Sequence, residues 1–173
     1  MIQSAGYSFP KSERLHHRSL VEGLYRSGHS FYEFPFRVTW RVLTPEQLEK
    51  NFRNVVPEGI AKLQMMVTVP KKKRRRAVDR VQMRRRIREA YRLNRLELRA
   101  LAEESEELGT LSVALVYIHD KNLPYGTVEE KLLTVLGKLR KRVFSSKDPA
   151  DNLTGIDKTG TTDCNNNNNH KPS

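Results

Sequence analysis

One cysteine, Cys164, is the entire thiol content of the 173 residues, which excludes an intramolecular disulfide. No apolar run approaches the roughly 20 residues that a membrane span needs, so no transmembrane helix is expected. The first residues lack a basic stretch followed by an apolar one, so no export signal is expected either, and a cytoplasmic chain is the consistent reading. The usual signatures of chemistry are also missing: there is no zinc-ligand spacing, no nucleophile elbow, no P-loop and no carboxylate pair placed for a cleft. His119-Asp120 is the one tempting acid–base pair, but it stands at a strand end, where a turn-stabilising aspartate is the commoner explanation. No catalytic residue and no metal ligand is therefore assigned. A length of 173 residues allows one domain with a real core.

What the chain does have is positive charge, and it is concentrated. Between Lys71 and Arg99 stand fourteen lysines and arginines against three acids, Asp79, Glu89 and Glu97, a net +11 out of the whole chain's +12. Such a feature is built to meet a polyanion. At 100° per residue from Met83, the residues Ile87, Ala90, Tyr91, Asn94, Leu98 and Leu101 fall within about 80° of Met83, the apolar stripe of an amphipathic helix. Arg84, Arg85, Arg88, Arg92, Arg95 and Arg99 fall between roughly 100° and 200° on the same wheel. One face packs, and the other is a rail of guanidinium groups whose planar forks suit phosphate oxygens. A merely solvated face would intersperse acids for pairing, but Glu89 and Glu97 lie off the rail. The run Lys71, Lys72, Lys73, Arg74, Arg75, Arg76 reads either as a nuclear localisation signal or as a loop touching nucleic acid; it leads from a strand straight into the arginine helix, which favours contact.

These residues resemble the protein subunit of bacterial ribonuclease P, whose signature is roughly A-V-x-R-N-x-x-K-R-x-I/L-R-E-x-F/Y. This chain matches it at Ala77, Val78, Arg80, Arg85, Ile87, Arg88, Glu89 and Tyr91, with Arg84 in place of lysine. Val81 departs from the asparagine of the pattern, on the arginine side of the wheel, and Gln82 departs from a basic residue. The resemblance covers about Phe9 to Phe144. It implies an α+β fold: a two-layer α/β sandwich with about four strands in a mixed sheet, in the order α-β-β-β-α-β-α, with a left-handed β-α-β crossover. Residues 1–8 are then a flexible N-terminus, 9–146 the domain, and 147–173 a disordered tail, in keeping with the Asn165–Asn169 run and the Pro, Gly, Thr and Asp around it.

Taken in order, the first helix is expected after an N-cap at Ser12, with Leu20 and Leu24 on one face and Gly28 at its end. His16 and His17, adjacent on that helix, would point to different sides and could not jointly chelate a metal. Ser30 to Leu43 alternates as one strand, with Phe34, Phe36, Val38, Trp40 and Val42 on one face and Pro35, Arg37, Thr39 and Arg41 on the other. Thr44, Pro45 and Gln47 make a helix start. Leu63, Met65, Val67 and Val69 alternate as a second strand. The arginine helix is expected to continue through the acidic patch Glu103, Glu104, Glu106, Glu107 to Gly109. Leu111 to Ile118 is an apolar run suited to a strand covered on both faces. A capping box at Thr127 and Glu130 should open a last helix running to about Phe144, with Leu132, Leu136, Leu139 and Val143 as its stripe.

By resemblance, the function is that of the ribonuclease P subunit: binding the catalytic RNA and the 5′ leader of precursor tRNA to assist endonucleolytic 5′ maturation. The RNA would hold the Mg2+ and cut the phosphodiester, and no protein partner is required. Lys71, Lys72, Lys73, Arg74, Arg75, Arg76, Arg80, Arg84, Arg85, Arg88 and Arg92 are the candidates for the catalytic RNA. Two aromatic positions that the family turns toward the leader fall on Val21 and Tyr25, and Arg37 and Arg41 face the same cleft, so Tyr25, Arg37 and Arg41 are the leader candidates. A structural RNA-binding protein of ribosomal type, without a role in tRNA processing, uses the same basic helix and stays open. A DNA-binding regulator is disfavoured, because no short helix and turn precede the basic helix at helix-turn-helix spacing.

Overall fold

In the computed structural model, residues 9–53 and 55–145 are described; the segments 1–8 and 147–173, with Cys164 and His170, lie outside the described residues. The alternation between residues 29 and 43 folds as a hairpin rather than as one strand. β1 (His29–Glu33) and β2 (Phe36–Leu43) run antiparallel, with Phe31 opposite Val38 and Glu33 opposite Phe36. The chain turns at Phe34-Pro35, where proline has no N–H to give a ladder. Phe36, Val38 and Trp40 are buried as the alternation demands, whereas Phe34, out on the turn, is exposed.

β4 (Thr110–Tyr117) pairs antiparallel with β2 along its whole length and parallel with β3 (Leu63–Thr68), giving the sheet order β1-β2-β4-β3. Its apolar run is buried nearly throughout, because helices cover both of its faces. On one side lie α3 (Ala77–Asn94), α4 (Leu96–Glu104) and α5 (Tyr125–Phe144), which with the sheet make the two main layers. Met83, Ile87, Tyr91 and Leu98 interlock there with Leu132, Val135 and Leu139 of α5 and with Val113, Leu115 and Tyr117 of β4. On the other side, α1 (Arg18–Ser27) and α2 (Pro45–Asn51) bury Leu20, Leu24 and Leu48 against Leu43 and Ala114. Each such leucine, withdrawn from water, contributes about 1.5–3 kcal/mol.

Four boundaries differ from expectation, each for a local reason. α1 starts at Arg18 with His17 in the N-cap place, not after Ser12. Residues 11–13 instead form a 3-10 turn, and the Leu15 N–H donates to the Met65 carbonyl at 3.0 Å, so this stretch covers the edge of β3. His16 and His17 consequently precede the helix, their rings 4.3 Å apart. The arginine helix breaks at Arg95 and ends at Glu104 rather than Gly109. Thr127 lies inside α5, whose first residue is Tyr125; the Tyr125 hydroxyl reaches Glu129 one turn on, at 3.3 Å. The expected start of α2 does form, with Thr44 and Gln47 closing a reciprocal capping box at 3.3 Å each way.

Candidate nucleic-acid interface

The first three turns of α3 carry the arginine face that its period requires. Met83, Ile87, Ala90 and Tyr91 are buried toward the core, while Arg85 and Arg88 are exposed and Arg84 half-buried. Among the described residues no carboxylate pairs with Arg84, Arg85 or Arg88. Burial, then the neighbouring charges of Arg84 and Arg14, pull the Arg88 guanidinium below its ordinary pKa. Arginine nevertheless stays charged, so this is a cluster of like charges that an anion would relieve. Arg14 comes from the segment along β3, where its guanidinium donates to the Phe9 carbonyl at 2.9 Å. Together with Phe9, Tyr125, Arg85, Arg86, Arg88 and the Arg92–Glu89 pair it lines a groove of about 830 Å³. Arg92 stands at the rim of this face, its fork closed on Glu89 at 2.6 and 2.9 Å. Arg86, on the packing side of the wheel, donates to the Leu123 carbonyl at 2.6 Å.

Beyond Arg92 the rail stops. Arg95 is fully buried and forms an ion pair with Glu13, itself buried in the 3-10 turn, and Arg99 reaches the same carboxylate at 3.3 Å while its Nε donates to Glu103 at 2.7 Å. The expectation that Arg95 and Arg99 continue the nucleic-acid face is thus corrected. The break between α3 and α4 lets Arg95 turn inward, where the ring of Phe9 lies 5.9 Å from its guanidinium and packs edge-on to Tyr91 at 5.6 Å. Burial, then the Glu13 carboxylate, drives the Tyr91 hydroxyl far above its usual pKa. Sequence reasoning missed this cluster because Glu13 lies 82 residues upstream of its partner.

The run before α3 also divides. Lys71, Lys72, Arg75 and Arg76 are exposed. Lys73 sits 3.3 Å from Asp120, and Arg74 donates to the Asp120 carbonyl and lies 3.6 Å from Asp79. Arg80, half-buried, donates to the carbonyls of Arg74 at 2.9 Å and Arg75 at 2.6 Å. Three of the eleven cations assigned to RNA therefore also hold the loop in shape, and Asp120 anchors that loop rather than pairing with His119 as an acid–base couple. The His119 ring instead packs edge-on to Phe34 at 5.1 Å.

On the opposite face of the sheet, Tyr25, Arg37 and Arg41 come together. Tyr25, on the last turn of α1, is 51% exposed; burial raises its pKa, and the charge of Arg37 opposes that shift. The Arg41 guanidinium lies over the Cα of Gly23, in space that a Cβ would fill. Burial and then Arg26 lower its pKa, so a second like-charged pair faces this surface. Val21, partly buried, packs against the small core under α1. Arg26 escaped the sequence reading because α1 carries it next to Arg41 only in three dimensions.

The family model named Ribonuclease P matches residues 9–140. The chain belongs to the ribonuclease P protein family. Ribonuclease P protein components from two strains of Porphyromonas gingivalis, ATCC 33277 and W83, are each 31% identical over 146 residues, covering 84% of this chain and 96% of theirs. The fold is shared with the RNase P protein of Staphylococcus aureus: TM-score 0.50 at 19% identity, covering 74% of this chain and 95% of that one. The polypeptide is accordingly the protein component of the ribonuclease P endoribonuclease, acting in tRNA 5′ processing, and its partner is RNA. In this ribonuclease P protein, Val81, the departure from the family pattern, lies 38% exposed on the arginine side of α3. Among the described residues no group of three or more His, Cys, Asp or Glu side chains is placed to hold a metal, and no helix is long and apolar enough to cross a membrane.

Proposed function

We propose that this subunit docks the catalytic RNA of ribonuclease P on the exposed cations ahead of and along α3, and holds the 5′ leader of precursor tRNA on the opposite side of the sheet. Arg84, Arg85 and Arg88, with which no carboxylate pairs among the described residues, carry the reading. Lys71, Lys72, Arg75, Arg76 and Arg92 extend the same phosphate track, while Lys73, Arg74 and Arg80 hold the loop that presents it and reach its margin. Docking releases counterions from the RNA and lowers phosphate repulsion, a gain that falls as salt rises. Tyr25 offers a face to one unstacked leader base, and Arg37 and Arg41 meet the leader phosphates. Magnesium belongs mainly to the RNA subunit, where the phosphodiester is cut; the protein strengthens precursor binding and so lowers the Mg2+ that the particle needs. The complex works in the cytoplasm, without a further protein partner.

The test is precursor tRNA cleavage by the cognate catalytic RNA at low magnesium, with and without the protein. Strong stimulation, lost in the R84A/R85A/R88A variant, is expected; no stimulation under any salt or magnesium condition would overturn the proposal.

A further inference from the structure

The hairpin formed by β1 and β2 places an aromatic side chain where the linear sequence does not show one. Tyr32 lies directly opposite Arg37 in the antiparallel register, so the two side chains share a face, and it is the face on which α1 packs. The Arg37 guanidinium stands 5.8 Å from the centre of the Tyr32 ring, and its charge also acts on the Tyr25 hydroxyl. Tyr25, Arg37 and Tyr32 thus belong to one face of the sheet, with the Arg37 cation against the Tyr32 ring. Tyr32 is 65% exposed on a strand that is otherwise well anchored. Its neighbours are fastened on the reverse face: Phe31 is buried under the Arg142 guanidinium at 4.6 Å, and Glu33 is paired with Lys138 of α5. The ring is therefore displayed from a fixed strand.

We infer that Tyr32 is a second stacking platform for single-stranded RNA, one strand farther from α1 than Arg37, taking a nucleobase of the leader beyond the one at Tyr25. The inference rests on the leader reading proposed above. A phosphate at Arg37 between two bases matches the alternation of ring and cation that sequence-tolerant single-strand binders use. Because adjacent strands are about 4.8 Å apart and Tyr32 lies outward of Arg37, its contribution depends on leader length. A leader that ends at Tyr25 never reaches it.

The experiment measures the affinity of the assembled ribonucleoprotein for precursor tRNA with a long leader, precursor with a one-nucleotide leader, and mature tRNA. Tyr32→Ala is expected to weaken long-leader binding about tenfold and leave the other two substrates unchanged, while Tyr32→Phe, which keeps the ring, behaves as wild type. An unchanged long-leader affinity in Tyr32→Ala, an equal loss on all three substrates, or a weaker affinity for the RNA subunit itself would overturn the inference, as would a Phe variant as damaged as the Ala one. Tyr25→Ala and Arg37→Ala separate the two levels: if they weaken leader binding while Tyr32→Ala does not, only this platform fails. If none of the three affects leader-bearing substrate selectively, the leader reading fails with it.

Discussion

Arg88 and Arg95 stand on the same side of one helical wheel, seven residues apart, and meet opposite fates. Arg88 is exposed among other arginines, and among the described residues no carboxylate pairs with it; Arg95 is buried on Glu13, with Arg99 sharing that carboxylate. The period of a helix gives the direction of a side chain, but not what stands in that direction. Over the first half of the arginine segment it is open, and over the second half it is the 3-10 turn at residues 11–13. The segment is thus a docking surface joined to a scaffold, and the same residue type serves both because guanidinium pairs equally well with phosphate and carboxylate.

The sharpest way to break that division is to unpair its buried half. Glu13→Ala takes from the buried Arg95 the carboxylate that pairs with it, and should cost about 3–5 kcal/mol of stability, read from chemical denaturation. The double change Glu13→Leu with Arg95→Met, which removes both charges at similar volume, should recover most of that loss. Next in size is the exposed half: R84A/R85A/R88A should leave the melting temperature almost unchanged yet weaken binding to the RNA subunit by about 100-fold at low salt, with a shallower salt dependence. Arg80→Ala, which frees the Arg74 and Arg75 carbonyls, should have a smaller effect on both readouts, about 1 kcal/mol in stability together with a modest loss of RNA affinity. The least effect belongs to Glu103→Gln, which breaks an exposed i,i+4 pair with Arg99 worth about 0.3–0.5 kcal/mol in thermal unfolding and nothing in RNA binding.

Where one physical signal dominates, the sequence was a good guide. The apolar run of β4, the capping box of α2, the stripe Leu132, Leu136, Leu139 of α5 and the apolar face of α3 all fall where their patterns put them. Where two signals compete, it was not. The alternation read over residues 30–43 is carried by β2 alone; the turn at Phe34-Pro35 inverts the parity of the face, so that Phe31, not Tyr32, joins Val38 on the core side, and only proline marked the interruption. Ser12 is a good helix cap by residue type, but the following turn is claimed by the edge of β3 and by the Glu13–Arg95 pair, both distant in sequence. The surface formed by Tyr25, Arg37 and Arg41 was legible residue by residue, through resemblance; Arg26 and Tyr32 join it only through the packing of α1 and the register of the hairpin.

The division of the arginine segment is tested most directly by the salt dependence of binding to the catalytic RNA, measured for the wild type, R84A/R85A/R88A and E13L/R95M. The slope of log affinity against log salt should fall by about two to three in the first variant, roughly one for each phosphate that the protein no longer neutralises, and stay at the wild-type value in the second. An equal fall in E13L/R95M, with its fold intact, would place Arg95 on the RNA and contradict the division.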